Sequence, residues 1–177
     1  MKEEIKSESE PDIGILIAGQ RSSIRTHIET LSNIMTQIHK ALPYSKYAFL
    51  QLPNRTRLNR FRRYENQKFA NAVQSLVKHV KMSRFSEFNA NSMIQQALNY
   101  LITEDRHSFS KRKCIIVFTE DWISPSMLSS IYRLYDEKVK IINVNFEEQA
   151  EKPRKVLSVN GIDISYFDAF EISNASK

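Results

Sequence analysis

Three short, continuous apolar runs are the feature that most constrains the fold. They are Asp12–Ala18 (DIGILIA), Cys114–Thr119 (CIIVFT) and Val139–Val144 (VKIINV). Runs of this length, with little polar alternation, are typical of strands that are buried on both faces. Both faces of a sheet are covered when helical crossovers join parallel strands, so the runs predict a parallel sheet inside an α/β domain.

Amphipathic segments between these runs predict the helices. Three segments repeat apolar residues at spacings of three and four, as one face of a helix requires: Ile24–Leu42, Gln67–Met82 and Ile94–Ile102. Ser124 and Pro125 predict a further helix start, while Tyr47–Leu52 and Asp163–Phe170 are typical of strands. The prediction is a doubly wound α/β domain: a mostly parallel central sheet of about six strands, one of them a short antiparallel edge strand, with helices on both faces.

Length and charge bound the organisation of the chain. It has 177 residues and a formal net charge of +6, which suits one basic domain over 12–172, with a polar lead at 1–11 and a tail at 173–177. The lead has no apolar core of a secretory signal, and no apolar run approaches the ~20 residues of a membrane helix, so no membrane insertion is expected. The compartment stays open, and an extracellular or secreted position within a larger chain is favoured over a cytoplasmic one.

The reactive residue types argue against catalysis. Cys114 is the single cysteine, which excludes an intramolecular disulfide and a cysteine-based zinc site. The four histidines have no partner at metal-ligand spacing and are expected on the surface, and the 3 glycines form no phosphate-binding motif. We therefore expect a protein that is not an enzyme, with no catalytic residues, no cofactor and no small-molecule substrate.

Three segments then carry a resemblance to a known family. They are DIGILIAGQRSSI from Asp12, NANSMIQQAL from Asn89 and IIVFTED from Ile115. In this order and at these separations they resemble the von Willebrand factor type A domain, which is also the inserted domain of integrins. The resemblance runs from Asp12 to about Phe170. It implies a metal-ion-dependent adhesion site, in which loops after the strands hold Mg²⁺ or Mn²⁺ for an acidic residue of a partner.

The first loop of that site departs from the family pattern. The first aspartate of the family's Asp-x-Ser-x-Ser motif falls on Ala18 and its first serine falls on Gln20, while Ser22 keeps the second serine. A methyl group has no lone pair, so one of the carboxylates that offset the dehydration of the ion is gone. We therefore expect a degenerate site with no bound metal, although weak Mg²⁺ binding is left open.

The other two segments fill the remaining positions. Ser92 stands in for the family's threonine, Glu120 replaces the aspartate of Thr-Asp-Gly, and Asp121 replaces its glycine. Arg21 and Trp122 flank these positions, and with Asp121 they are candidate partner contacts. Trp122 has two interpretations, since it can be an exposed contact residue or pack down on the end of the sheet.

A basic strip offers a second kind of site. Five arginines without an intervening acid form this strip: Arg55, Arg57, Arg60, Arg62 and Arg63. Such charges on an edge strand prevent pairing with other chains, or they bind a polyanion such as a heparin-like glycan or nucleic acid. The leading expectation is a protein-binding, adhesion-type module. Polyanion binding and a purely structural domain of a larger chain are the alternatives.

Overall fold

A computed structural model of the chain describes residues 10–18, 27–52, 60–82, 90–103, 112–120, 122–130, 138–146, 157–159 and 161–170. These residues form an α/β domain. Its elements in chain order are β1 (Asp12–Ala18), α1 (Ile28–Ala41), β2 (Tyr47–Gln51), α2 (Asn66–Met82), α3 (Ala90–Thr103), β3 (Arg112–Thr119), a 3₁₀ helix (Pro125–Ser130), β4 (Lys138–Asn145), β5 (Leu157–Val159) and β6 (Ile162–Asp168). The predicted boundaries at 11/12 and 172/173 stay predictions.

The strands form one sheet in the order β2-β1-β3-β4-β6-β5. Neighbours from β2 to β6 are parallel, and the three-residue β5 pairs antiparallel with β6 at the edge. The α/β class and the mostly parallel sheet are confirmed, and the arrangement is consistent with a Rossmann-like fold. The chain passes from β5 to β6 through Gly161, whose φ of 74° is the left-handed conformation that glycine adopts without strain.

The sheet separates two apolar cores. On one face, α1 and α2 pack on each other and on alternate residues of the strands, among them Ile15, Phe49 and Phe118. On the other face, α3 and the 3₁₀ helix cover Leu16, Val117 and their neighbours. We call these the α1–α2 face and the α3 face. Because β1 and β3 are covered on both faces, they need the continuous apolar runs from which they were predicted.

A glycine allows α3 to approach the sheet closely. A Cβ atom on Gly14 would lie 2.8 Å from Ile115 Cδ1 and 3.3 Å from Leu101 Cδ1. At the carboxyl end of α3, the buried Lys113 donates a hydrogen bond of 2.6 Å from Nζ to the carbonyl oxygen of Ile102. This contact satisfies one carbonyl of the helix end and places a positive charge where the helix dipole favours it.

Candidate functional site

The last residues of four strands are aligned side by side in the sheet, on its α3 face. In the register of the sheet, Ala18 of β1 lies beside Thr119 of β3, Thr119 beside Asn145 of β4, and Asn145 beside Asp168 of β6. These four positions lie at the carboxyl edge of the sheet, where α/β folds place their ligands. This edge is the candidate site. Ala18 is the least polar of the four residues that end the strands there.

The structure places part of the predicted site at this edge. Ala18 ends β1 and is 4% exposed, and Glu120 directly follows β3 and is 3% exposed. Ser92 belongs to the first turn of α3. Four of the predicted residues lie outside the described residues: Gln20, Arg21, Ser22 and Asp121.

The side chain of Asn143 makes several hydrogen bonds near the carboxyl edge, and the sequence pattern did not predict this role. Its Nδ2 donates hydrogen bonds to Thr119 Oγ1 at 2.8 Å and to the carbonyl oxygen of Val117 at 3.2 Å. Its Oδ1 accepts a hydrogen bond of 2.9 Å from the backbone N–H of Ile123. Asn143 is completely buried, and its hydrogen bonds attach the chain after β3 to β4. A polar residue inside the apolar run VKIINV was the signal, because a buried amide must find partners.

Trp122 packs on the sheet end beside this network. Its ring meets that of Tyr166 edge to face, with centroids 5.6 Å apart, and it contacts the α3-face core. The Tyr166 hydroxyl donates a hydrogen bond of 2.8 Å to the carbonyl oxygen of Ile123, and burial raises the pKa of Tyr166. The indole Nε1–H of Trp122 is buried and has no hydrogen-bond partner among the described residues. Trp122 packs on the end of the sheet and is half-buried, so its role as a partner contact stays a prediction.

The described part of the basic strip lies at the outer edge of β2, the first strand in the order of the sheet. Arg62 forms an antiparallel bridge with Tyr47 through two backbone hydrogen bonds. The distance from Tyr47 N to Arg62 O is 2.8 Å, and that from Arg62 N to Tyr47 O is 3.1 Å. The side chains of Arg60, Arg62 and Arg63 are exposed. Phe61 and Tyr64 are buried, Phe61 in the α3-face core and Tyr64 in the α1–α2-face core. Arg55 and Arg57 lie outside the described residues.

A buried histidine attaches the end of this strip to α1. His39 Nε2 lies 2.9 Å from the carbonyl oxygen of Tyr64, and because a carbonyl only accepts, this nitrogen carries the hydrogen. The ring stacks on Phe69 with centroids 4.1 Å apart and an interplanar angle of 11°. The expectation of surface histidines is therefore wrong for His39, which is 4% exposed. It lies four residues after Met35 and eight after Leu31 on the buried stripe of α1, a spacing that could have revealed it.

No three His, Cys, Asp or Glu side chains among the described residues are grouped so that they could hold a metal ion. In the same part of the chain, no helix has the length and apolar character needed to cross a membrane. No protein-family model matches the chain, and no curated protein matches its sequence.

Proposed function

We propose that this chain is a non-catalytic protein-binding module similar to type A domains, which binds its partner at the carboxyl edge without a bound cation. The observation that carries the proposal is Ala18, a buried methyl group at the end of β1 beside Thr119. The motifs of the resemblance support it by their position, since two of them fall on β1 and on the end of β3, and the third overlaps the start of α3.

The mechanism replaces the charge of the ion by that of a side chain. In a metal-dependent site the cation accepts an acidic residue of the partner. Here Arg21, three residues after the end of β1 in the sequence, supplies a positive charge, and a guanidinium binds a carboxylate through two parallel hydrogen bonds. Exchanging Arg21→Glu should abolish partner binding and leave the fold unchanged, whereas a partner that still binds this variant contradicts the mechanism.

Calorimetric titration with MgCl₂ and MnCl₂ tests the absence of a cation. The wild type should release no binding heat that corresponds to a dissociation constant below about one millimolar. Ala18→Asp combined with Gln20→Ser restores the family pattern of the first loop and serves as the matched variant. A tighter wild-type site that disappears in Glu120→Ala would overturn the proposal.

The basic strip supports a second candidate function, polyanion binding. Arg60, Arg62 and Arg63 are exposed together on an extended segment, while the neighbouring rings of Phe61 and Tyr64 are buried. With its rings buried, the described segment offers charge and no base-stacking platform, so the binding should depend on salt and not on base sequence.

Heparin chromatography compares two sets of substitutions. Changing Arg60, Arg62 and Arg63 to serine should lower the salt concentration at which the protein elutes. Changing three exposed lysines outside the strip to serine, Lys40, Lys68 and Lys138, removes the same charge and should lower it much less. Equal effects of the two sets would indicate general electrostatic attraction and would reject the strip as a site.

A further inference from the structure

The segment that contains the basic strip carries the net positive charge of the chain. Residues 53–86 have nine basic side chains and one acidic side chain, whereas the rest of the chain has 17 basic and 19 acidic side chains. This segment therefore has a formal charge of +8 and the remainder one of −2. Among the described residues, no ion pair joins Arg60, Arg62 or Arg63 to an acidic side chain. Their exposed guanidinium groups are therefore open to an anionic ligand.

Packing holds the described part of the strip in one conformation. Phe61 enters the α3-face core, where Lys113 Nζ lies 5.6 Å from the centroid of its ring. Tyr64 enters the α1–α2-face core, and its carbonyl oxygen accepts the hydrogen bond of His39 Nε2. Between these two anchors, Arg62 forms its backbone bridge with β2. Because this backbone is already ordered, a ligand that binds the arginines loses less conformational entropy.

The arginines lie on both sides of the sheet edge. Side chains of an extended segment alternate between its two sides, and bridge partners share a side. Tyr47 belongs to the α1–α2-face core, so Arg62 and, two residues earlier, Arg60 lie on that side. Phe61 belongs to the α3-face core, and Arg63 follows it by two residues on the same side. Positive charge therefore flanks one extended segment at the outer edge of β2.

This arrangement favours a thin, linear polyanion over nucleic acid. Single-stranded nucleic acids stack their bases on aromatic side chains, and the side chains of Phe61 and Tyr64 are each only 8% exposed. A DNA duplex is a stiff cylinder, so its phosphates can meet the arginines on one side of the edge and not those on the other. A sulfated glycan carries sulfate groups on both sides of one narrow chain and needs no stacking platform.

We propose that the basic strip binds a linear sulfated glycan through Arg60, Arg62 and Arg63. This inference rests on the polyanion-binding function proposed above and names its ligand. Each guanidinium donates two parallel hydrogen bonds to the oxygen atoms of a sulfate group, as it does to a phosphate. Arg60 and Arg62, about 7 Å apart along the segment, bind sulfates on one side of the glycan, and Arg63 binds a sulfate on the other.

Fluorescence anisotropy compares three labelled polyanions on the whole chain: a heparin dodecasaccharide, a twenty-nucleotide oligothymidylate and a twenty-base-pair DNA duplex. At about 0.15 M sodium chloride, the heparin fragment should bind at least about tenfold more tightly than either DNA. Changing Arg60, Arg62 and Arg63 to serine should weaken heparin binding about tenfold or more. It should also reduce the slope of the logarithm of the binding constant against that of the salt concentration by about two.

Two further variants separate the geometry of the strip from its charge. Changing Lys40, Lys68 and Lys138 to serine removes the same charge at exposed positions outside the strip and should leave heparin binding within about threefold. Changing the three arginines to lysine keeps the charge without the planar pair of donors and should weaken heparin binding about fivefold. Urea unfolding verifies that each variant is folded.

Four results overturn the proposal, and they differ in what else they reject. DNA binding that equals heparin binding and is lost in the arginine-to-serine variant rejects the glycan and leaves polyanion binding by the strip intact. No binding of any of the three probes rejects polyanion binding as well. Equal weakening by the lysine-to-serine control rejects the strip as the site. Unchanged heparin binding in the arginine-to-lysine variant rejects the paired hydrogen bonds to sulfate.

Discussion

Two buried tyrosines of the α1–α2 face should respond in opposite ways to loss of the hydroxyl group. The Tyr47 hydroxyl donates a hydrogen bond of 2.6 Å to the carbonyl oxygen of Leu42. The Tyr64 hydroxyl is buried and has no hydrogen-bond partner among the described residues. Both rings contact Phe69, and burial raises the pKa of both phenols. Tyr47→Phe and Tyr64→Phe are therefore a matched pair in which the hydrogen bond is the difference.

The expected free energies follow from these contacts. Removing the Tyr47 hydroxyl loses a short hydrogen bond and should lower the free energy of unfolding by about 1 to 1.5 kcal/mol. The Tyr64 hydroxyl gives up its hydrogen bond to water on folding and gains none from the described residues. Removing it should raise the free energy of unfolding by about 1 kcal/mol.

Urea unfolding followed by circular dichroism measures both changes. With a denaturant slope of about 2 kcal/mol per molar, the midpoint should fall by about 0.5 to 0.75 M in Tyr47→Phe and rise by about 0.5 M in Tyr64→Phe. An unchanged slope indicates that stability alone has changed. If Tyr64→Phe is destabilised as much as Tyr47→Phe, the Tyr64 hydroxyl has a partner in solution and the reasoning is refuted.

Three further predictions concern single side chains. Asn143→Ala leaves the Ile123 N–H and the Thr119 hydroxyl without this partner, so it should lower the free energy of unfolding in urea by about 3 kcal/mol. It should also shift the fluorescence emission of Trp122, the single tryptophan, to longer wavelength. An unchanged spectrum would contradict the conclusion that Asn143 holds this segment in place. Gly161→Ala forces a side chain into φ of 74° and should cost about 1 to 2 kcal/mol, read as a lower melting temperature that Asp163→Ala does not reproduce. Burial raises the pKa of Cys114 from 9.0 to about 11, so its contribution to the free energy of unfolding is complete below pH 9 and is lost as the pH rises toward 11. The free energy of unfolding should therefore fall less steeply with pH in Cys114→Ala than in the wild type over this interval. Identical pH profiles of the two proteins would contradict the shift.

The regular elements were predictable because their patterns are long enough to be unambiguous. The runs that predicted β1, β3 and β4 fall within the observed strands, and the stripe in Gln67–Met82 agrees with α2 to within one residue. The helix that was predicted to start at Ser124 and Pro125 is a 3₁₀ helix of six described residues, Pro125–Ser130. The dipeptide Asn160-Gly161 is a strong hairpin signal that could have located β5, whose three residues are too few to show a periodicity.

Polar residues inside apolar patterns were harder to interpret, because their partners are distant in sequence. Asn143 bonds Val117 and Thr119 at separations of 26 and 24 residues, and His39 bonds Tyr64 at a separation of 25. Only pairing of the strands and packing of the helices bring such groups together. A pattern can therefore indicate that a buried polar residue needs partners without identifying them.

The hydrogen bonds at the carboxyl edge distinguish residues that stabilise the fold from those to which partner binding is assigned in the proposed function. Asn143 uses its carbonyl and its amino group within the fold, and Tyr166 donates to the chain that follows β3. These side chains therefore hold Trp122 and Ile123 in place, and under the proposed function the groups that meet a partner come from residues that follow the strand ends in the sequence. On this basis Arg21→Glu should change binding with little change in the free energy of unfolding, whereas Asn143→Ala should change stability first. A large loss of stability in Arg21→Glu would show that Arg21 supports the fold itself, and the division between the two roles would fail.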